Sequence, residues 1–211
     1  MKNRVLSIIV GVSLAIVLIL VGVIGIIAGV RNATAVVKYD KIYVNAETLN
    51  YLAANYKIIY LKQLAKEGVE CADSYEFWQS LAPDGISYGV YFESSLQEYI
   101  ADLVVRANAY ERHSQYTPED RLEVAKICDG VLTRSADGDV EKFNEEAEKY
   151  GFSYDAFIDA ATLMYKAKHA DAAIEEHSLD VEAMKESVTF RDSYADIQSL
   201  SVPLLEKFHI D

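Results

Sequence analysis

The longest apolar stretch of the chain covers residues 5–30 and contains no charged residue. A helix rises about 1.5 Å per residue, and the hydrocarbon core of a bilayer is about 30 Å thick, so about 20 apolar residues are enough to cross it. This pattern predicts a transmembrane helix over residues 5–30, with enough length left over to accommodate some tilt.

The charges that flank this apolar run indicate its orientation. Cationic residues are retained on the cytoplasmic side of a membrane, and Lys2 and Arg4 precede the run, whereas only Arg31 follows it. We therefore expect residues 1–4 in the cytoplasm, a linker over residues 31–35, and the rest of the chain outside the cytoplasm on a single-pass anchor in the cell membrane.

Two features of the run leave alternatives open. Ala33 and Ala35 have the spacing of a signal-peptidase site, but the apolar core of a secretory signal usually has about 7–15 residues. We therefore favour an uncleaved signal anchor over cleavage after Ala35. Gly25 and Gly29 have the GxxxG spacing that lets membrane helices pack closely in a homodimer, although glycine is also common in membrane helices that do not dimerise.

After residue 35 the pattern changes to that of a short strand ribbon followed by amphipathic helices. Residues 36–44 are rich in β-branched and aromatic side chains around a turn-like Asp40-Lys41, which predicts a strand or bent ribbon. Apolar residues then recur every three or four positions behind good N-caps. The predicted helices run from Asn45 to about Lys66, from Ser94 or Ser95 through Tyr110, from Thr117 to about Arg134, over 137–150, from Ser153 to about Glu176, and over 180–189.

The predicted fold class is mainly α, with a transmembrane helix followed by a helical-bundle domain over residues 36–190. Residues 69–91 are predicted to be irregular because Pro83, Gly85 and Gly89 interrupt them. An alternating pattern over 195–202 predicts a strand within a C-terminal segment, 191–211. A lone strand has bare edges, so we expect the N- and C-terminal strands to pair with each other.

Charge excludes one class of partner for the domain outside the membrane. Residues 1–31 contain three basic and no acidic residues, so the remainder carries a formal charge of −16, compared with −13 for the whole chain. A body this acidic repels phosphate backbones and anionic headgroups, so we expect no binding to nucleic acid.

The sequence lacks the common motifs of catalysis and metal binding. The four histidines, His113, His169, His177 and His209, have no zinc-ligand spacing, and no phosphate-binding loop or nucleophile elbow is present. We expect no cofactor, no metal and no enzymatic activity. Cys71 and Cys128 could pair outside the cytoplasm, but the predicted burial of Cys128 on the stripe Leu122, Ala125, Cys128 and Leu132 favours two structural thiols.

Tyrosine is unusually frequent, with 15 residues. Tyrosine combines a large apolar face with a polar tip and is favoured on surfaces that contact varied partners. Several tyrosines lie on helical stripes, where the core is the simpler explanation. The candidates for peptide binding are instead the aromatic residues of the glycine-containing irregular stretch, Tyr75, Phe77, Trp78, Tyr88 and Tyr91.

The order of these elements resembles the N-terminal chaperone domain of SurA/PrsA-type extracytoplasmic foldases. Residues 36–45, VVKYDKIYVN, look like the Val-x-x-Val-(Asn/Asp)-Gly-x-x-Ile ribbon that opens this domain. Residues 150–157, YGFSYDAF, look like its Tyr-Gly-x-Ser-x-x-x-Phe junction. Residues 49–52, 117–120 and 179–182 look like the starts of three of its helices, so the resemblance covers about 36–190.

The resemblance implies a chaperone-like protein that binds unfolded or secreted polypeptides. Members that isomerise prolyl bonds carry a complete parvulin domain after the bundle, whereas here only a short segment with His209 follows Thr189. We therefore do not expect prolyl isomerase activity, although a degenerate parvulin relative remains an alternative. A second alternative is a scaffold module that recruits one specific envelope or secretion partner.

Overall fold

The computed structural model describes residues 33–194, 200, 204–205 and 207–210. Val36–Asp211 form one compact unit, and Met1–Ala35 form another, of which only residues 33–35 are described. The predicted span 5–30 and the Gly25/Gly29 pair therefore lie outside the described residues. None of the helices in the described part is long and apolar enough to cross a bilayer.

The predicted ribbon follows residues 33–34, which are helical. Its strands are β1 (Ala35–Tyr39) and β2 (Ile42–Asn45), and Asp40 makes the turn with a left-handed φ of 48°. In β1 the first three residues are buried, and in β2 the alternate residues Ile42 and Val44 are buried. The prediction of a bent ribbon around Asp40-Lys41 is confirmed.

A third strand, β3 (Thr189–Phe190), completes the sheet in the order β2-β1-β3. It runs antiparallel to β1, with Val37 opposite Phe190 and Lys38 opposite Thr189. The segment predicted to pair with the ribbon, 195–202, lies outside the described residues except for Leu200. The described strand that pairs with β1 from the C-terminal part of the chain is thus β3, which begins where a helix over 180–189 was predicted to end.

The helix after the ribbon, α1 (Ala46–Lys66), begins at the predicted cap. The Asn45 side chain accepts a hydrogen bond from the backbone N–H of Thr48 at 2.8 Å, which satisfies an otherwise unpaired amide. Past the other end lies Gly68, whose φ of 83° suits a residue without Cβ. The predicted bounds of this helix are confirmed.

The stretch 69–91, predicted to be irregular, contains a short helix and the start of the longest helix among the described residues. These are α2 (Tyr75–Gln79), capped by Ser74, and α3 (Tyr88–His113), capped by Ser87. The prediction that this helix begins at Ser94 or Ser95 is therefore wrong. It failed because Gly89 was taken as a helix breaker, whereas it lies inside α3.

Two further helices begin directly after N-cap residues. The first, α4 (Pro118–Ala136), has a capping box in which Thr117 and Asp120 each bond the other's backbone amide. Asp139 then caps α5 (Val140–Ala147), and a 3-10 turn over Glu148–Tyr150 ends at Gly151. On α4, however, the predicted stripe residue Leu122 is exposed, because the buried face runs through Val124, Cys128 and Val131.

The remaining helices are shorter than the sequence predicts. Instead of one helix from Ser153 to Glu176, the structure has α6 (Tyr154–Lys168) and α7 (Asp171–Glu176). Between them His169 lies with its Nδ1 2.8 Å from the Tyr165 carbonyl oxygen. The last helix, α8 (Val181–Lys185), stops short of the predicted Thr189. No glycine or proline marks these ends, so the sequence gives no warning of them.

The described C-terminal residues pack into the core. The Tyr51 hydroxyl donates to the Phe208 carbonyl oxygen at 3.0 Å, and the Asn55 amide oxygen accepts from the Ile210 N–H at 3.2 Å. The Phe208 ring is buried and meets Phe143 edge-on at a centroid distance of 4.8 Å. The tail therefore ties α1 and α5 together.

Candidate functional site

The structure buries two of the five aromatic residues predicted to bind peptide. Phe77 and Trp78 lie on α2 inside the core. Tyr88 is half-buried, with its ring stacked on Phe77 at 4.9 Å, and Tyr91 is half-buried as well. Tyr75, at 76% exposure, is the member of this group that presents its ring to solvent. None of the five lines either of the grooves described below.

Trp78 belongs to a buried polar cluster that serves to hold the fold together. The Lys57 side chain is fully buried, and its Nζ lies 2.7 Å from Asp73 Oδ1 and 3.0 Å from the Leu200 carbonyl oxygen. The Trp78 Nε1–H donates to the same carboxylate at 2.9 Å. Desolvation by burial lowers the pKa of Lys57, and Asp73 opposes that shift.

A chain of ring contacts leads from these residues to the middle of α3. Its last step is a stacked pair, Tyr56 on α1 and Tyr99 on α3, with centroids 4.5 Å apart. Burial raises the pKa of Tyr99 to about 12. The rings between the two ends are in contact at 4.9–5.9 Å and run in the order Tyr88, Phe77, Trp78, Phe92, Tyr56.

Tyr99 lies at a groove of about 760 Å³ that we call the α3–α4–α6 groove. Ile127 of α4 is 38% exposed, and Met164 of α6 is half-buried, so the groove offers apolar surface to solvent. Its volume is that of a pocket able to enclose a small ligand or several side chains. The apolar lining consists of Tyr99, Leu103, Ile127, Ala161, Met164 and Ile210.

Charged side chains of both signs surround the mouth of this groove. Arg106 of α3 pairs with Asp171 of α7, with its NH1 nitrogen 2.6 Å from Asp171 Oδ1. It also pairs with Asp102 of its own helix, with its Nε 3.0 Å from Asp102 Oδ2. Lys126 and Lys168 also line the rim. An apolar floor inside a mixed-charge rim can take apolar side chains while the rim bonds the polar backbone that carries them.

Hydrogen bonds between polar side chains link the α4 and α6 walls of the groove. The Tyr165 hydroxyl lies 2.8 Å from Asp120 Oδ1 and 2.9 Å from Glu123 Oε2. Burial, with these two carboxylates, raises the pKa of Tyr165. Hydrogen bonds from the Thr117 backbone and from Tyr165 lower the pKa of Asp120 to about 2. The helix cap of α4 is therefore also a tether to α6.

A second, wider groove of about 980 Å³ lies between α3 and α8, and we call it the α3–α8 groove. It shares Tyr99 and Asp102 with the first groove. Its apolar floor is Tyr56, Tyr99, Ala101, Val188 and Phe190, and its ionisable side chains are Glu98, Asp102, Glu182, Lys185 and Glu186.

Both cysteines are free thiols in the structure. Cys128 is buried on α4, and burial raises the pKa of its thiol to about 11. Cys71 is half-buried, with its Sγ 3.4 Å from the Leu61 carbonyl oxygen. The predicted burial of Cys128 is confirmed. Within the described residues no cluster of three or more histidine, cysteine or acidic side chains is placed to hold a metal ion.

No protein-family model matches the chain, and neither a curated protein nor a solved structure is significantly similar to it. The resemblance to SurA/PrsA-type chaperone domains therefore stays a prediction from the quoted motifs, and the grooves have to be interpreted from their own geometry.

Sequence reasoning missed the residue that marks the first groove. Ile127 lies three residues after Val124 and four before Val131, so it borders the buried face of α4, yet it is 38% exposed. Helical spacing alone predicts burial at this position, so the sequence does not mark it as a groove residue. Leu103 and Met164 also follow the apolar spacing of their helices, which does not reveal their contribution to a groove.

Proposed function

We propose that this protein is a membrane-anchored, chaperone-like factor that binds unfolded or extended polypeptides outside the cytoplasm. The observation that carries this proposal is the α3–α4–α6 groove, which is open to solvent and has an apolar floor inside a charged rim. The predicted anchor over residues 5–30 and the acidic body support a soluble domain held near the membrane, where emerging chains are met before they fold.

The mechanism is passive and needs no nucleotide. Burying one leucine or phenylalanine side chain of a client contributes about 1.5–3 kcal/mol before the entropic cost of binding, so a single contact is weak and reversible. Met164 adapts to different shapes because its side chain is unbranched and polarisable. Such a groove delays aggregation of a client without trapping it, as a holdase does.

The test uses the full chain in lipid nanodiscs and a chemically denatured client whose aggregation is followed by light scattering. The wild type should suppress aggregation near stoichiometric ratio, and Ile127→Asp should lose most of that effect because a carboxylate in the groove repels apolar side chains. Leu122→Asp, on the same helix but outside the groove, is the matched control and should behave as the wild type. Failure of the wild type to suppress aggregation at large excess over empty discs contradicts the proposal.

One observation favours a scaffold role as a second candidate. The stretch from α2 into α3 exposes four large apolar side chains, Tyr75, Leu81, Ile86 and Val90. Apolar side chains exposed together are typical of surfaces that dock on a folded partner. Under this alternative Tyr75→Ser/Leu81→Ser abolishes recovery of one specific partner in a pull-down, whereas Ile127→Asp leaves it unchanged.

A further inference from the structure

The α3–α8 groove differs from the first groove in the sign of its rim. Four carboxylates line it, those of Glu98, Asp102, Glu182 and Glu186, against one ammonium, that of Lys185. Its floor is nevertheless apolar and aromatic, with Tyr99 and Phe190 both half-buried. An occupant that complements both features has apolar side chains next to positive charges.

Lys185 shows how this groove holds a cationic side chain. Its side chain is 11% exposed, and its Nζ forms ion pairs with Glu182, at 2.7 Å, and with Glu98. Interaction with these two carboxylates raises the pKa of Lys185. An amine on an aliphatic stem is thus already accommodated between α3 and α8 by two carboxylates.

One carboxylate of the rim, that of Glu186, is exposed to solvent, whereas Asp102 is already paired with Arg106, 3.0 Å away. Among the described residues no ion pair involves Glu186. A net negative rim attracts cationic segments at long range and rejects acidic ones, which gives selectivity more than affinity.

We propose that the α3–α8 groove selects client segments in which lysine or arginine alternates with apolar or aromatic residues. This inference rests on the proposed function and adds a client class to it: the α3–α4–α6 groove binds apolar side chains without regard to charge, and the α3–α8 groove adds a preference for positive segments.

The test measures binding of short fluorescein-labelled peptides by anisotropy to the full chain in phosphatidylcholine nanodiscs, with empty discs as blank. One peptide alternates phenylalanine or leucine with lysine, and the second has glutamate at every lysine position. The lysine peptide should bind roughly tenfold tighter at low salt, and the difference should shrink as salt screens the rim.

Three variants locate the effect. Glu182→Gln/Glu186→Gln should weaken binding of the lysine peptide several-fold, whereas Glu175→Gln/Glu176→Gln, an exposed pair on α7 with the same change in net charge, should not. Lys185→Gln should tighten binding because it frees two carboxylates, and a gain of this kind does not arise from misfolding.

The outcomes separate this inference from the proposed function. Equal affinity for the two peptides, equal loss in both double variants, or no gain in Lys185→Gln overturns the charge selectivity. If the wild type still suppresses aggregation and Ile127→Asp does not, the proposed function stands without the charge selectivity. Failure to bind either peptide contradicts both.

Discussion

At the scale of single residues, the least expected feature is a fully buried lysine. Lys57 occupies a polar position of α1 that faces inward, where its ammonium bonds Asp73 and the Leu200 carbonyl oxygen beneath the Trp78 ring. A buried charge is tolerated when it is paired and its remaining protons are bonded. The cluster therefore explains why Leu200, far along the chain, is held against α1.

Asp73→Asn should destabilise the protein by about 3 kcal/mol because it removes a carboxylate that pairs with the buried ammonium of Lys57. Lys57→Met removes the charge itself and should cost only about 1 kcal/mol. The measurement is denaturant unfolding of the full chain in detergent micelles, followed by fluorescence of Trp78, the single tryptophan. Equal losses in the two variants would show that the ion pair is not what stabilises this cluster.

The same pair of variants gives a pH dependence with a defined sign. Lys57 has a folded pKa below its unfolded value of 10.5, so the unfolded state binds more protons between the two values. Stability contributed through Lys57 therefore rises with pH in that window. Asp73→Asn widens the window, so its destabilisation should shrink as the pH approaches 10.5, whereas Lys57→Met should show no such recovery.

At the scale of the elements, caps were the most reliable signal in the sequence. Asn45 and Thr117 were identified correctly because their side-chain bonds to nearby amides are local and depend on only three or four residues. The predictions of one continuous helix through His169 and of a late start for α3 were wrong, and neither apolar spacing nor breaker residues revealed the true bounds. Gly89 is the clearest case. A glycine at this position predicts a break in the helix, whereas the packing of α3 leaves no room there for a side chain.

Gly89→Ala and Gly130→Ala should have effects of opposite sign. A Cβ at Gly89 would lie 2.9 Å from the Trp78 carbonyl oxygen, so we expect a loss of about 1–3 kcal/mol from overpacking. Gly130 lies within α4 and has nothing within 4 Å of the added methyl, so we expect a gain of about 0.5–1 kcal/mol. Thermal unfolding by circular dichroism measures both, and a gain in Gly89→Ala would contradict the close approach of α2 and α3.

At the scale of the whole molecule, the mainly helical class and the ribbon followed from periodicity, but the site did not. Phe77 and Trp78, which were predicted to bind peptide, lie in the core. The prediction assumed that large rings in a glycine-containing stretch are accessible to solvent. The groove instead forms between α3, α4 and α6, and periodicity along one helix cannot report a gap between helices. Ile127 lies three residues after Val124 and four before Val131, so its spacing is that of the buried face and does not mark it as exposed.

The most direct test of the central claim places a photoreactive benzoylphenylalanine at Ile127 in one variant and at Leu122 in another. Both side chains are exposed aliphatic residues of α4, at 38% and 57%, but only Ile127 lines the α3–α4–α6 groove. Illumination with a denatured client should yield crosslinked product from Ile127 and little from Leu122. Equal yields from the two positions, or none from Ile127, would contradict client binding in this groove.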